Sequence, residues 1–124
     1  MDTIRGTHPR RGEIYLAALD PTVGREICKT RPALILQNDV FNRLMPMTII
    51  APITSTVRFP LSPVHVLIAG AKSTGLAVTS VAVLSQIRAV DNRRLIKRLG
   101  SVDDETMGRV DEAIQISLGL IRLE

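Results

Sequence analysis

Apolar residues come in short runs broken by proline and glycine until the last part of the chain, where they settle into a helical repeat. That pattern suits several short strands followed by one helix. From Gly12, the stretch Glu13-Ile14-Tyr15-Leu16-Ala17-Ala18-Leu19 alternates imperfectly and reads as a strand, ended by the Asp20-Pro21 turn signal. Residues 32–37 and 47–53 are apolar runs that read as buried strands, with residues 38–46 a connector holding room for one helical turn. Pro52 inside the second run predicts an edge, bend or bulge, because proline has no N–H to give a ladder. Pro60 and Pro63 break the chain before strands expected at 64–68 and 80–84, and an extended segment continues through 86–90. Residues 92–99 carry the densest positive charge. Met107, Val110, Ile114, Leu118 and Ile121 then recur at helical spacing, with Asp103, Asp104 and Glu105 in the first turn, where the helix dipole favours anions. Asp103 or Ser101 can cap this helix. A second stripe, Ala113, Ile116, Leu120 and Leu123, makes it apolar over more than one face. Such a helix either packs on its own sheet and a neighbour or is buried in one core. The fold class expected is α+β.

The 124 residues suit one domain, read here as residues 12–124 behind a loose N-terminal leader over residues 1–11. Aromatics make up only 2% of a chain that is 45% hydrophobic, so the core is built from Val, Ile, Leu and Ala, which bury less area per side chain. A domain this lean gains stability by dimerising. Charge is uneven: residues 1–100 hold 14 Lys and Arg against 6 Asp and Glu, a balance of +8, while residues 101–124 hold 2 against 6, a balance of −4. A basic body suggests a polyanionic or acidic partner, and a solvated face with no partner is the alternative. Cys28 is the only cysteine, so no intrachain disulfide forms and a reducing compartment is expected. No run approaches the ~20 apolar residues of a membrane span, and the opening lacks the apolar core of a signal peptide. A cytoplasmic protein with no membrane association is the expectation.

Metal chemistry finds little support, with His8, His65 and one cysteine available and carboxylates that lack ligand spacing. No cofactor is expected: neither glycine-rich phosphate fingerprint occurs. His65 alternates with Val64 and Val66, as an ordinary polar-face residue on a strand does. What remains is an arginine-based site. Arg25, Lys29 and Arg31 fall within one turn-rich connection, and guanidinium forks match phosphate oxygens in a bidentate way. Thr54, closing an apolar run, can supply a hydroxyl donor. Together they would stabilise the charge that gathers on an RNA phosphate attacked by its neighbouring 2′-hydroxyl. The alternative is solvated loop cations and an unremarkable strand-end threonine.

The series Gly12-Glu13-Ile14, Asp20-Pro21-Thr22-Val23-Gly24-Arg25-Glu26, Thr30-Arg31-Pro32, Gln37-Asn38-Asp39, Asn42, Pro52-Ile53-Thr54, Ser85-Gln86-Ile87-Arg88 and Val110-Asp111-Glu112-Ala113-Ile114 resembles the MazF/PemK family of toxin endoribonucleases. The likeness runs from about Arg11 to the C-terminus, and its most specific part is Pro-x-x-Gly-x-Glu, then Arg-Pro, then a strand ending in Thr. The resemblance implies a small SH3-like antiparallel β-barrel with a C-terminal α-helix, a homodimer, and metal-independent, sequence-specific cutting of single-stranded RNA. It implies products with 2′,3′-cyclic phosphate and 5′-hydroxyl ends, and neutralisation by an acidic antitoxin protein. Arg31 and Thr54 match the family's catalytic arginine and threonine; Gly24, Glu26 and Gln86 match residues lining its RNA groove. Arg25 stands where many relatives carry serine, Cys28-Lys29 replaces a smaller, often glycine-containing pair, and Ser85 stands where close relatives often have an acid. The added cations Arg25 and Lys29 extend the expected RNA contacts, or point into water. Two rivals share the fold: a non-catalytic barrel holding RNA or an acidic peptide, and a gyrase-poisoning toxin, whose branch uses a C-terminal tryptophan motif that this Trp-free chain lacks.

Overall fold

The computed structural model describes residues 8–123. Of the leader expected over residues 1–11, residues 1–7 lie outside the described residues. Arg11 is held firmly, its backbone N–H donating to Asp39 Oδ1 at 2.7 Å, its Nε donating to the Leu36 carbonyl at 2.9 Å, and its head paired with Asp111.

The strands are β1 (Glu13–Ala18), β2 (Thr30–Ile35), β3 (Met47–Thr54), β4 (His65–Ile68), β5 (Ser80–Val83), β6 (Arg88–Asp91) and β7 (Leu95–Ser101). Helix α1 (Asp39–Leu44) fills the connector between β2 and β3, and α2 (Asp104–Ser117) ends the fold. All pairings are antiparallel, in the order β4-β5-β3-β2-β1-β7, with β6 on β3. Strand β3 is the pivot. Along one edge, Met47 to Ile50 pair with β6 and Ile53 and Thr54 pair with β5. Pro52 sits at the changeover, where that edge asks for no N–H, so the bend expected from the proline becomes a switch of partners.

The α+β class with an antiparallel sheet and a C-terminal helix is as expected, but the barrel is not: the sheet stays open. Its end strands β4 and β7 do not pair with each other. The β4–β5 connection lies against β7 instead, through one main-chain bond from Ser101 N–H to the Ser73 carbonyl at 2.9 Å. Gly75 and Gly100 make that approach possible: a Cβ on Gly100 would lie 2.3 Å from the Ser73 oxygen, and one on Gly75 would lie 2.1 Å from the Leu99 oxygen. A loop wedged between the end strands takes the place of the ladder that would have closed a barrel.

Alternation along the strands sorts the core onto two faces. One cluster, with Ile14, Leu34, Ala51, Ile53, Val66 and Leu84, packs under α2 through Met107, Val110 and Ala113. The other, with Ala17, Leu19, Ala33, Ile35, Ile50 and Val90, is covered in part by Ile27 of the β1–β2 connection. Asp103 caps α2, its side chain accepting from Thr106 N–H at 2.8 Å. The helix is shorter than its apolar stripes suggest, because Gly119 turns the chain at φ 75° and leaves Leu120 and Leu123 exposed beyond it. Among the described residues no helix is long and apolar enough to cross a membrane.

Candidate active site

The β1–β2 connection folds back over the second face of the sheet, and its shape follows from its own polar groups. Glu26 Oε1 accepts from Val23 N–H at 2.8 Å while Glu26 N–H donates to the Val23 carbonyl at 3.2 Å, closing a tight turn around Gly24 at φ 58°. Lys29 takes a left-handed conformation, φ 69°, which a side chain bears at some cost. Its carbonyl accepts from Leu19 N–H at 2.9 Å, so the two ends of the connection meet there.

Gln86 reaches this connection from a 3-10 turn before β6, its Oε1 accepting from Ile27 N–H at 2.8 Å and its Nε2 lying 3.5 Å from the Arg25 carbonyl. Glu26 and Gln86 therefore share a cleft of about 380 Å³, with Ile27, Pro52 and Ile87 as its apolar walls and Ser85 and Arg88 as further polar groups. The structure thus brings Gln86 to the turn that holds Gly24 and Glu26, about 60 positions earlier in the chain. Arg25 and Lys29 are exposed on the connection's outer side.

Arg31 opens β2 and Thr54 closes β3. The ladder between these strands runs from Ala33↔Pro52 to Ile35↔Ile50 and stops short of both residues; the same register, continued by two residues, would set Arg31 opposite Thr54. By alternation both would fall on the face of Ala33, Ile35 and Pro52, yet the hollow that Arg31 lines also takes in Ile53 and Leu76 of the first cluster. Arg31 is half-buried and its Nε donates to the Cys28 carbonyl at 3.2 Å, which leaves both Nη groups of the fork without a hydrogen-bond partner among the described residues. Thr54 Oγ1 accepts from Thr56 N–H at 3.2 Å, so its own hydrogen can be donated. Arg31 lines a hollow of about 200 Å³ with Ser55 and Ser80; Thr54 is not among that hollow's walls. Ser55 escaped the sequence reading, and its place next to Thr54 is the one signal that pointed to it.

Ion pairs among the described residues join Arg11 with Asp111, Arg93 with Asp91, Arg98 with Glu13 and Arg109 with Glu105, and none engages Arg25, Lys29 or Arg31. Nor do any three His, Cys, Asp or Glu side chains among the described residues converge as a metal site. Two further arginines, Arg88 and Arg94, have no site role in the sequence reading. Arg88 donates from Nη1 to the Leu19 carbonyl at 3.1 Å, and Arg94 donates from Nη1 to the carbonyls of Ala18, at 3.0 Å, and Asp20.

The structure sets an open antiparallel sheet with a C-terminal helix packed on it beside a connection that exposes Arg25 and Lys29. The chain belongs to the PemK-like, MazF-like toxins of type II toxin-antitoxin systems, whose family model matches residues 10–118. Endoribonuclease EndoA of Bacillus subtilis (strain 168) is 46% identical over 112 residues, covering 90% of this chain and 96% of that protein. MazF (Form-I) from Deinococcus radiodurans shares the fold with a TM-score of 0.77 at 24% identity, over 90% of this chain and 97% of that one. So does an endoribonuclease in complex with its cognate antitoxin from mycobacterial species, with a TM-score of 0.75 at 24% identity, over 93% and 99% of the two chains.

Proposed function

We propose that RNA is cut between the facing ends of β2 and β3, with Arg31 clamping the phosphate and Thr54 donating a hydrogen bond to it. The protein is a sequence-specific, metal-independent endoribonuclease acting on single-stranded RNA, the toxin of a toxin-antitoxin pair; its 46% identity with an endoribonuclease over nearly the whole chain carries that reading. The ribose 2′-oxygen, giving up its proton, attacks the adjacent phosphorus. The bond to the 5′-oxygen breaks and that oxygen takes up a proton, leaving 2′,3′-cyclic phosphate and 5′-hydroxyl ends. Charge grows on the non-bridging oxygens during attack, so the fork of Arg31 binds the transition state more tightly than the ground state. A planar guanidinium, with five N–H donors and no acceptor, is a clamp rather than a base.

Gly24, Arg25, Glu26, Lys29 and Gln86 form the RNA groove in this reading. Residues 12–124 make one toxin domain. Its partner is an acidic antitoxin protein, which the basic body favours, and the toxin works as a homodimer. Supporting the dimer are Val40, Phe41 and Leu44 on α1 with Met47 on β3, apolar side chains left exposed close together in the chain.

Incubating the purified protein with a long single-stranded RNA in EDTA tests the activity. Discrete fragments with 5′-hydroxyl ends are expected; intact RNA of retarded mobility would mean binding without cleavage. Arg31→Lys is expected to lower kcat by about 100-fold or more, since a point charge does not reproduce the fork. Near-normal cleavage by that variant would remove the clamp.

A further inference from the structure

Three consecutive carbonyls at the start of the β1–β2 connection, those of Ala18, Leu19 and Asp20, are each held by an arginine from the β6–β7 segment. Strand-end carbonyls ordinarily turn to water; here Arg94 serves the outer two and Arg88 the middle one. Both arginines are half-buried, so they bind the backbone rather than extend into solvent. The contacts continue inward. Leu19, whose carbonyl Arg88 holds, donates its N–H to the carbonyl of Lys29, the residue in the left-handed conformation. That turn delivers the chain into Arg31, whose Nε is fixed on the carbonyl of the neighbouring Cys28. Gln86 pins the connection between these points through Ile27.

We infer that Arg88 and Arg94 are positioning residues for Arg31, acting through the backbone of Leu19 and the left-handed turn at Lys29. The inference rests on the reading of Arg31 as the phosphate clamp. A relaxed α- or β-region backbone at Lys29 would redirect the strand entry, so an outside constraint is needed there. Arg94 Nη1 can supply that constraint, since the two N–H bonds of one guanidinium nitrogen are held at a fixed angle and reach carbonyls on both sides of the bend, whereas an ammonium on a flexible stem fixes no such angle.

The test uses the full chain and four variants, Arg94→Met, Arg94→Lys, Arg88→Met and Arg31→Ala. Cleavage of a long single-stranded RNA is followed at one mapped site, with amide hydrogen exchange and thermal unfolding measured alongside. Arg94→Met and Arg88→Met are expected to lower kcat about 10- to 100-fold with little change in KM, the loss that misplacing a catalytic group brings. Exchange should quicken over residues 19–31 and stay as it was in α2, and Arg94→Lys should recover part of kcat. The inference is overturned if kcat stays at the parental value, or if it falls only together with KM, Tm and exchange protection throughout the sheet. Should Arg94→Met fail to fold, Arg88→Met, which leaves both Arg94 bonds in place, decides the matter. Parental cleavage by Arg31→Ala would overturn the clamp reading and this inference with it; an inactive Arg31→Ala beside fully active Arg88→Met and Arg94→Met would overturn the inference alone.

Discussion

A single hydrogen bond decides what each active-site candidate can offer. Because Thr54 Oγ1 already accepts from Thr56 N–H, its remaining capacity is to donate. Thr54→Val, nearly the same shape without the hydroxyl, should lower kcat by about 10- to 1,000-fold while Thr54→Ser keeps most of it, as single-turnover cleavage will show. Acid dependence is also a matter of single residues. Hydrogen bonds from Thr106 hold the Asp103 carboxyl below its ordinary 3.8, and the backbone N–H of Arg11 does the same, as the leading cause, for Asp39. A depressed carboxylate stabilises the fold above its unfolded value and stops doing so as pH falls through its folded one. Stability should therefore decline below about pH 4, and Asp103→Asn, which still caps but does not titrate, should show a shallower decline in Tm by calorimetry.

Elements meet where glycine permits it. The approach of the β4–β5 connection to β7 leaves no room for a methyl group on Gly100, whose Cβ would face main-chain atoms rather than a flexible side chain. Gly100→Ala should cost about 1–3 kcal/mol in urea unfolding, while Gly108→Ala, where nothing lies within 4 Å, should stabilise α2 by a few tenths to about 1 kcal/mol. Most of the elements could be read from their own residues, since apolar alternation between Pro and Gly breaks is a local property, as is the acidic first turn of α2. The open sheet could not. Whether β4 meets β7 depends on how a connection that contains Gly75 packs against a strand that contains Gly100, and no pattern within either segment reports on the other.

For the whole molecule, the basic body and acidic C-terminal segment set what can approach it. The acidic antitoxin proposed as partner, drawn to the basic body, should bind less tightly as salt rises. Affinity measured from about 50 to 300 mM salt should fall steadily, and a flat profile would mean that apolar contacts carry the complex. In the homodimer proposed above, Phe41→Glu, which puts a charge among the exposed apolar residues of α1, should favour the monomer in sedimentation while the far-UV spectrum stays unchanged.

The amino-acid sequence alone determined most of the strands, the C-terminal helix, the polarity of the charge and the residue types at the strand ends, because each depends on neighbours a few positions away; β7, whose residues read only as a run of cations, is the exception. The tertiary structure decided the rest. It gave Gln86 a backbone partner 59 positions away, sent Arg94 to carbonyls 74 and 76 positions away, and set a loop where a barrel seam was expected. Those outcomes come from long-range packing and from carbonyls beyond the sheet ladders that take donors wherever the fold brings one, and neither leaves a local trace in the chain.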